Sequence, residues 1–215
     1  MIPLYHDFTD ETVLIFGGGS VGARKARRFA REAAVLVVSP EFPADDYGTA
    51  ERVRAAPTAE GVPEWFDRTD PALAVAATND TAVNEAIETA ARTRNVLVNR
   101  ADRSGGRDID SVVVPATVRD GDVTVAVSTG GRSPALSKTL RERIEAEIEG
   151  ADELAELTAE IRQSLKDRGV EPEPRRRAVR EVVRSTAVWK DLGRGDSNPR
   201  QAAEAVVEAE LGDRT

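Results

Sequence analysis

Cysteine is absent from the 215 residues, histidine occurs once, and aromatic residues make up only 4%. The first absence excludes disulfides, thiolate metal sites and a cysteine nucleophile. His6 precedes the first apolar run, a place where a lone histidine is usually a surface or packing residue. Acid–base chemistry in this chain therefore rests on carboxylates or on a cofactor. Lysine is scarce too: Lys25, Lys138, Lys166 and Lys190 are four of 30 cations, and the rest are arginine. Against 38 Asp and Glu they leave a net charge of −8, so nonspecific nucleic-acid binding is not expected. An acidic, arginine-rich, lysine-poor chain with many Ala, Val and Asp fits a cytoplasmic protein of a salt-loving, high-GC organism, where salt screens self-repulsion. No run approaches the roughly 18 apolar residues of a membrane span, and no signal peptide precedes the first strand, so no membrane partner is expected. The apolar share of 40% is enough for a core, carried by Ala and Val. The length allows one large domain or one domain with a smaller appendage.

What is present begins with residues 12–27, TVLIFGGGSVGARKAR, a short apolar strand, a glycine cluster and a run of helix formers. Gly17, Gly19 and Gly22 fall at the G-x-G-x-x-G spacing of a dinucleotide-binding turn. The first glycine serves a tight turn, the second lets backbone approach a pyrophosphate, and the third lets helix and strand pack closely. The first amide N–H groups of the helix then face the phosphates. Gly-rich turns also close strand–helix units that bind nothing, so the strand before and the helix after carry the reading.

Further strands are expected over residues 13–16, 35–38, 72–77 and 96–98, with a weaker one near 52–55, and helices over 21–32 and 82–93. Residues 44–63 read as a mixed polar segment. Apolar runs alternating with helices indicate a parallel sheet covered on both faces. After residue 111 the pattern changes. Residues 112–114, 117–118 and 123–127 are strand-like with no helix between them, and Arg119-Asp120-Gly121-Asp122 is hairpin chemistry. Ser133 is placed to cap a helix that opens on Pro134 and runs to about residue 149 with Leu136, Leu140, Ile144 and Ile148 on one stripe. From residue 151 onward the chain reads as charged helix, broken at 169–174 and 193–199, and the basic run at 175–177 as a solvated helix start. The fold class is thus α/β: a Rossmann-type parallel sheet domain over 1–111, a small α+β domain over 112–149, and a helical C-terminal region over 150–215.

Glu41 lies 19 residues after Gly22, where a nucleotide site wants an acid for the ribose hydroxyls, and Phe42 beside it offers a surface for an adenine edge. A surface-loop glutamate is the competing reading. If Glu41 meets the ribose, NAD is favoured over NADP, whose 2′-phosphate it repels. Thr78-Asn79-Asp80 follows a parallel strand at the sheet end where ligands bind, and Thr78 or Asn79 also suits the cap of the next helix. Asp102 follows Asn99 at the same sheet end, as a general base or as a structural loop residue. Arg100, Arg103 and Arg107 around it suit a polyanionic substrate.

Gly17-Gly18-Gly19-Ser20-Val21-Gly22-Ala23-Arg24-Lys25, then Ala76-Ala77-Thr78-Asn79-Asp80 with Val83-Asn84, then Val98-Asn99 and Asp102, then Ser128-Thr129-Gly130-Gly131-Arg132-Ser133-Pro134-Ala135-Leu136 follow one another along the chain. In that order and spacing the chain resembles the precorrin-2 dehydrogenase family of siroheme biosynthesis, over about residues 1–150. The resemblance implies NAD-dependent oxidation of the tetrapyrrole precorrin-2 to sirohydrochlorin, Asp102 as the catalytic residue, and NAD contacts at Ser20, Val21, Glu41, Phe42, Thr78 and Asn79. It also implies a homodimer built through the central domain. Arg103, Arg107 and Arg132 are the residues expected to draw the polycarboxylate substrate toward an acidic protein. Some family members also insert ferrous iron, and a non-catalytic NAD-sensing module is the alternative outside enzymes. The chain departs from the family in having Arg100-Ala101 where apolar residues are common, in a longer loop after Asp102, and in Val112 where an aromatic is frequent. These departures imply a substrate pocket of different shape, and favour the dehydrogenase over the chelatase activity.

Overall fold

Five short apolar runs build one parallel sheet: β1 (Thr12–Phe16), β2 (Ala34–Ser39), β3 (Glu51–Arg54), β4 (Leu73–Ala76) and β5 (Leu97–Arg100). Their order is β3-β2-β1-β4-β5, so the chain reverses direction across the sheet between β1 and β4. The structure, a computed structural model, describes residues 3–43, 45–102, 111–192 and 198–212. It separates into two units, Met1–Val114 and Pro115–Thr215.

In the first unit the two faces of β1 feed two cores. Leu14 and Phe16 join Ala74, Ala76, Val62, Phe66 and Ile87 on one face. Val13 and Ile15 join Val35, Val37, Val75, Ala23 and Ala26 on the other. Strands buried on both faces read as continuous apolar runs, which is why β1, β2 and β4 were visible in the sequence. Helix α1 (Ser20–Phe29) covers the second face, while α2 (Val62–Thr69) and α3 (Thr81–Thr93) cover the first.

Three expectations change here. Residues 62–69 form α2, with Pro63 in its first turn and Val62 and Phe66 buried; the mixed polar segment expected over 44–63 takes in only its first two residues, and no element is expected over 64–69. Asp80, not Thr78 or Asn79, caps α3: its Oδ1 accepts from the amides of Ala82 at 2.8 Å and Val83 at 3.2 Å. Residues 112–114 form no strand. The chain instead rejoins β5 through one parallel bridge between Val98 and Ser111, and the Val112 amide donates to the Val98 carbonyl at 2.8 Å.

The second unit opens on an antiparallel hairpin, β6 (Ala116–Asp120) and β7 (Val123–Val127). Gly121 turns it at φ +52°. The turn is tied to the next elements by exchanged contacts: the Asp122 amide donates to Asp152 Oδ1 at 2.8 Å, and the Asp152 amide donates to Asp120 Oδ2 at 3.2 Å. Helix α4 (Pro134–Glu147) packs on the hairpin, and Ser133 caps it by accepting from the Leu136 amide at 3.3 Å. Helices α5 (Ala151–Asp167), α6 (Pro172–Arg184), α7 (Thr186–Asp191) and α8 (Pro199–Gly212) share a third core that includes Leu157, Ile161, Leu165, Val182 and Val188. The break at residue 185, where Ser185 ends α6 and caps α7, carries no glycine or proline and was not visible in the sequence.

Candidate functional site

At the C-terminal ends of β1, β2 and β4 lies a cavity of about 400 Å³, walled by Gly17, Gly18, Gly19, Glu41, Thr78 and Asn79 among others. This is the place where the strand order reverses, the ligand crevice of open α/β sheets. Each glycine of the turn answers a local demand. Gly17 has φ +111°, and a Cβ there would press on the Ala77 carbonyl carbon at 2.6 Å. A Cβ on Gly22 would overlap the Gly17 carbonyl, so this residue sets how closely α1 sits on β1. Gly19 differs: it lies in the cavity wall and its Cβ would meet nothing within 4 Å.

The N-terminus of α1 has no side-chain cap and no acidic residue in its first turn. Ser20, Val21 and Gly22 make up that turn, and their amides are aligned for an anion. Tyr47, buried, donates its hydroxyl to the Gly18 carbonyl and so braces the turn from below. A glycine cradle open on one side, beside an uncapped helix N-terminus, fits the pyrophosphate of a dinucleotide.

Glu41 stands in the cavity wall just past β2. Phe42 does not: it packs edge-on against Tyr47, with ring centroids 5.6 Å apart, and Arg52 lies over both rings. Pro43 and Pro57 occupy the wall in its place. On the other side, Asn84 holds the loop after β4. Its Nδ2 donates to the Thr78 carbonyl at 2.9 Å, and its Oδ1 accepts from the Thr78 amide at 3.3 Å and hydroxyl at 2.8 Å. Asn84 is 1% exposed. It lies beside Val83 and one turn before Ile87 on the buried face of α3, and a polar residue on that apolar stripe was the signal for it.

Within β5, Asn99 donates from Nδ2 to the Val112 carbonyl at 2.8 Å, while its Oδ1, buried, has no partner among the described residues. Arg100 is not a substrate arm. Its side chain is 4% exposed and fills an ion-pair cluster: Nη1 donates to Glu88 Oε2 at 2.5 Å, Nε to Asp102 Oδ1 at 2.9 Å and Nη2 to Asp102 Oδ2 at 2.7 Å. Asp102 is held below the usual carboxylate range, chiefly by the Arg100 hydrogen bonds acting against burial. Arg100 itself is raised, with its bonds to Asp102 the largest cause. Of the arginines expected to meet substrate, Arg103 and Arg107 lie outside the described residues. Arg132 is exposed in the second unit, in the turn before α4. There Gly130 and Gly131 both take positive φ, and the Thr129 hydroxyl is engaged with the Ser133 carbonyl and Ser137 hydroxyl, each at 3.0 Å.

Residues 4–116 match the family model described as putative NAD(P)-binding, and residues 120–147 match the one described as sirohaem biosynthesis protein central. A precorrin-2 dehydrogenase of Methanosarcina barkeri is 32% identical over 98% of this chain and 95% of its own length. A siroheme synthase of Nitrosospira multiformis is 34% identical over 100% of this chain but only 45% of its own, so the chain spans less than half of that longer relative. Among solved structures, SirC, a precorrin-2 dehydrogenase, matches 99% of this chain and 98% of its own with a TM-score of 0.65 at 23% identity, a likeness of fold.

Proposed function

This chain belongs to the precorrin-2 dehydrogenase family, and from that premise we propose that it oxidises precorrin-2 to sirohydrochlorin with NAD as hydride acceptor. The observation that carries the reading is the cavity at the sheet reversal, in a chain related to a precorrin-2 dehydrogenase over nearly the whole of both. The substrate loses two hydrogens, one as a hydride, which the nicotinamide takes when bound, and one as a proton. The amides of Ser20, Val21 and Gly22 hold the pyrophosphate, with Gly17 and Gly19 letting backbone come close. Glu41 accepts from the ribose hydroxyls, which favours NAD over NADP. Thr78 and Asn79 flank the nicotinamide side. Asp102, an ionised carboxylate, takes the proton. Arg103, Arg107 and Arg132 pair with the carboxylates of the macrocycle.

The same reading includes a homodimer. A lone two-stranded hairpin is marginal in water, and α4 on its own hairpin buries no residue fully, with Leu136 49% exposed. A second copy laid on the hairpin and the α4 stripe supplies the missing cover. Leu140→Asp then yields a monomer by light scattering, and an unchanged mass overturns the dimer.

The deciding experiment mixes purified protein, precorrin-2 and NAD anaerobically at high salt and follows the absorption spectrum. Sirohydrochlorin formed with NAD, and less efficiently with NADP, is the expected result. No spectral change from protein that binds NAD overturns the assignment. A further change that needs ferrous iron as substrate, faster than the uncatalysed rate, adds chelation to the activity.

A further inference from the structure

An arginine at the end of a buried strand needs a reason, because desolvating a guanidinium is costly unless its donors are matched. Arg100 pairs across β4 with Ala76 and follows Leu97, Val98 and Asn99 in β5. Glu88 reaches it from α3, occupies Nη1, and is itself nearly buried at 10% exposure. That single contact neutralises the cation. It also leaves the Nε–Nη2 edge of the guanidinium aimed at Asp102, and both Asp102 oxygens lie on that edge at 2.9 and 2.7 Å. A planar two-point fork fixes both the position and the plane of a carboxylate, which a point charge cannot do.

We propose that Arg100, anchored on Glu88, is a positioning residue for Asp102: it fixes the position and the plane of that carboxylate for proton transfer. This inference rests on the role given above to Asp102. The charged and polar groups facing Asp102 are Arg100 from β5 and Asn84 from α3, with Glu88 of α3 acting through Arg100. Glu88 in turn meets the half-exposed Arg92 at 3.7 Å. Residues 103–110, which follow Asp102, lie outside the described residues. The neighbours that are described agree in sign. Arg100 and the Asn84 amide favour the ionised form of Asp102, and burial alone opposes it.

Two variants separate orientation from charge. Arg100→Lys keeps the charge and loses the fork. The pair Arg100→Met with Glu88→Gln removes both charges together, so that Glu88 is not left as a buried carboxylate without its guanidinium, while Asp102 loses the fork. Turnover of precorrin-2 is measured against pH, beside NAD affinity and circular dichroism. Arg100→Lys lowers kcat about tenfold with KM within about twofold, and its acid limb stays where the wild type has it. The double variant lowers kcat about 10- to 100-fold, and its acid limb moves to higher pH, toward the ordinary carboxylate range. Variants that fold, bind NAD and keep the wild-type kcat and acid limb overturn the inference alone. A loss of kcat accompanied by loss of NAD binding or of helical signal in both variants assigns the cluster a structural role and also overturns it. Absence of turnover in the wild type overturns the functional reading, and the inference with it.

Discussion

The glycine turn makes two demands that separate cleanly, one of packing and one of ligand approach. A methyl group on Gly22 would overlap the Gly17 carbonyl and stand 3.0 Å from its carbon, where carbon–carbon contacts settle near 3.5–4.0 Å. Helix α1 must therefore back away from β1 by about an ångström or more to clear the carbonyl oxygen, against a core in which Ala23 and Ala26 are already buried. Overpacking of this size costs about 1–3 kcal/mol. For a unit of this length each kcal/mol moves the midpoint by about 4 °C, so Gly22→Ala melts roughly 4–12 °C earlier without any cofactor. Gly19→Ala meets nothing within 4 Å and needs no unusual backbone, since φ is −71°. Its melting point stays within a few degrees of wild type, or rises slightly because the unfolded chain loses freedom. The added methyl instead projects into the cavity and holds the dinucleotide off the backbone, weakening NAD at least tenfold. Scanning calorimetry of the cofactor-free proteins and titration with NAD give the two numbers. Gly19→Ala with wild-type affinity would refute the placement of phosphate at the turn, and Gly22→Ala with a wild-type midpoint would refute the packing argument.

Asp80→Ala removes both bonds of the α3 cap and lowers stability by about 1 kcal/mol in denaturant titration, while Asn79→Ala, exposed and outside the cap, leaves it nearly unchanged. Glu41→Ser relieves repulsion at the ribose end and narrows the preference for NAD over NADP at least tenfold, read as a ratio of the two kcat/KM values. Asp102 titrates below its unfolded value, so its ion pair stabilises the fold fully above about pH 4, and that contribution is lost as pH falls through the lowered folded value. Stability plotted against pH therefore falls less steeply below about pH 4 in Asp102→Asn than in wild type, and equal slopes would contradict the pairing seen with Arg100.

The strands and the glycine turn were legible because they are local. An apolar run buried on both faces, or glycines at fixed spacing, is complete within one stretch of sequence. Helix α2 was hidden because it is only eight residues long and its first two close a mixed polar segment; its Pro63 sits in the first turn, where proline costs no hydrogen bond. The cap of α3 was placed one or two residues early, since Thr78, Asn79 and Asp80 are all capable and only the start of the helix decides among them. Phe42 reads as a surface for an adenine edge from its place beside Glu41 alone; its edge-on contact with Tyr47, the residue that donates to the Gly18 carbonyl, is a tertiary contact that the sequence does not display. The ion-pair cluster was the least visible part. Glu88 and Arg100 lie on different elements, and their pairing depends on how α3 sits over β5. The hint was in α3 itself, where Asn84 and Glu88 fall on the same buried face as Val83, Ile87 and Ala91.

Asp120, Gly121 and Asp152 have a consequence for strand alignment. A hairpin of two strands has two open edges, and its register is set by its turn and by the face it buries. Here the turn is pinned from outside. The carboxylate of Asp120 serves an orphan amide at the start of α5, Asp152 returns the favour to Asp122, and any side chain at Gly121 would strike the Asp152 carboxylate. A one-residue slip would break both bonds at once and put a Cβ where none fits. Helix α5 thus acts as a ruler for β6 and β7, and any strand added to either edge, from whatever chain, inherits the alignment that this ruler sets.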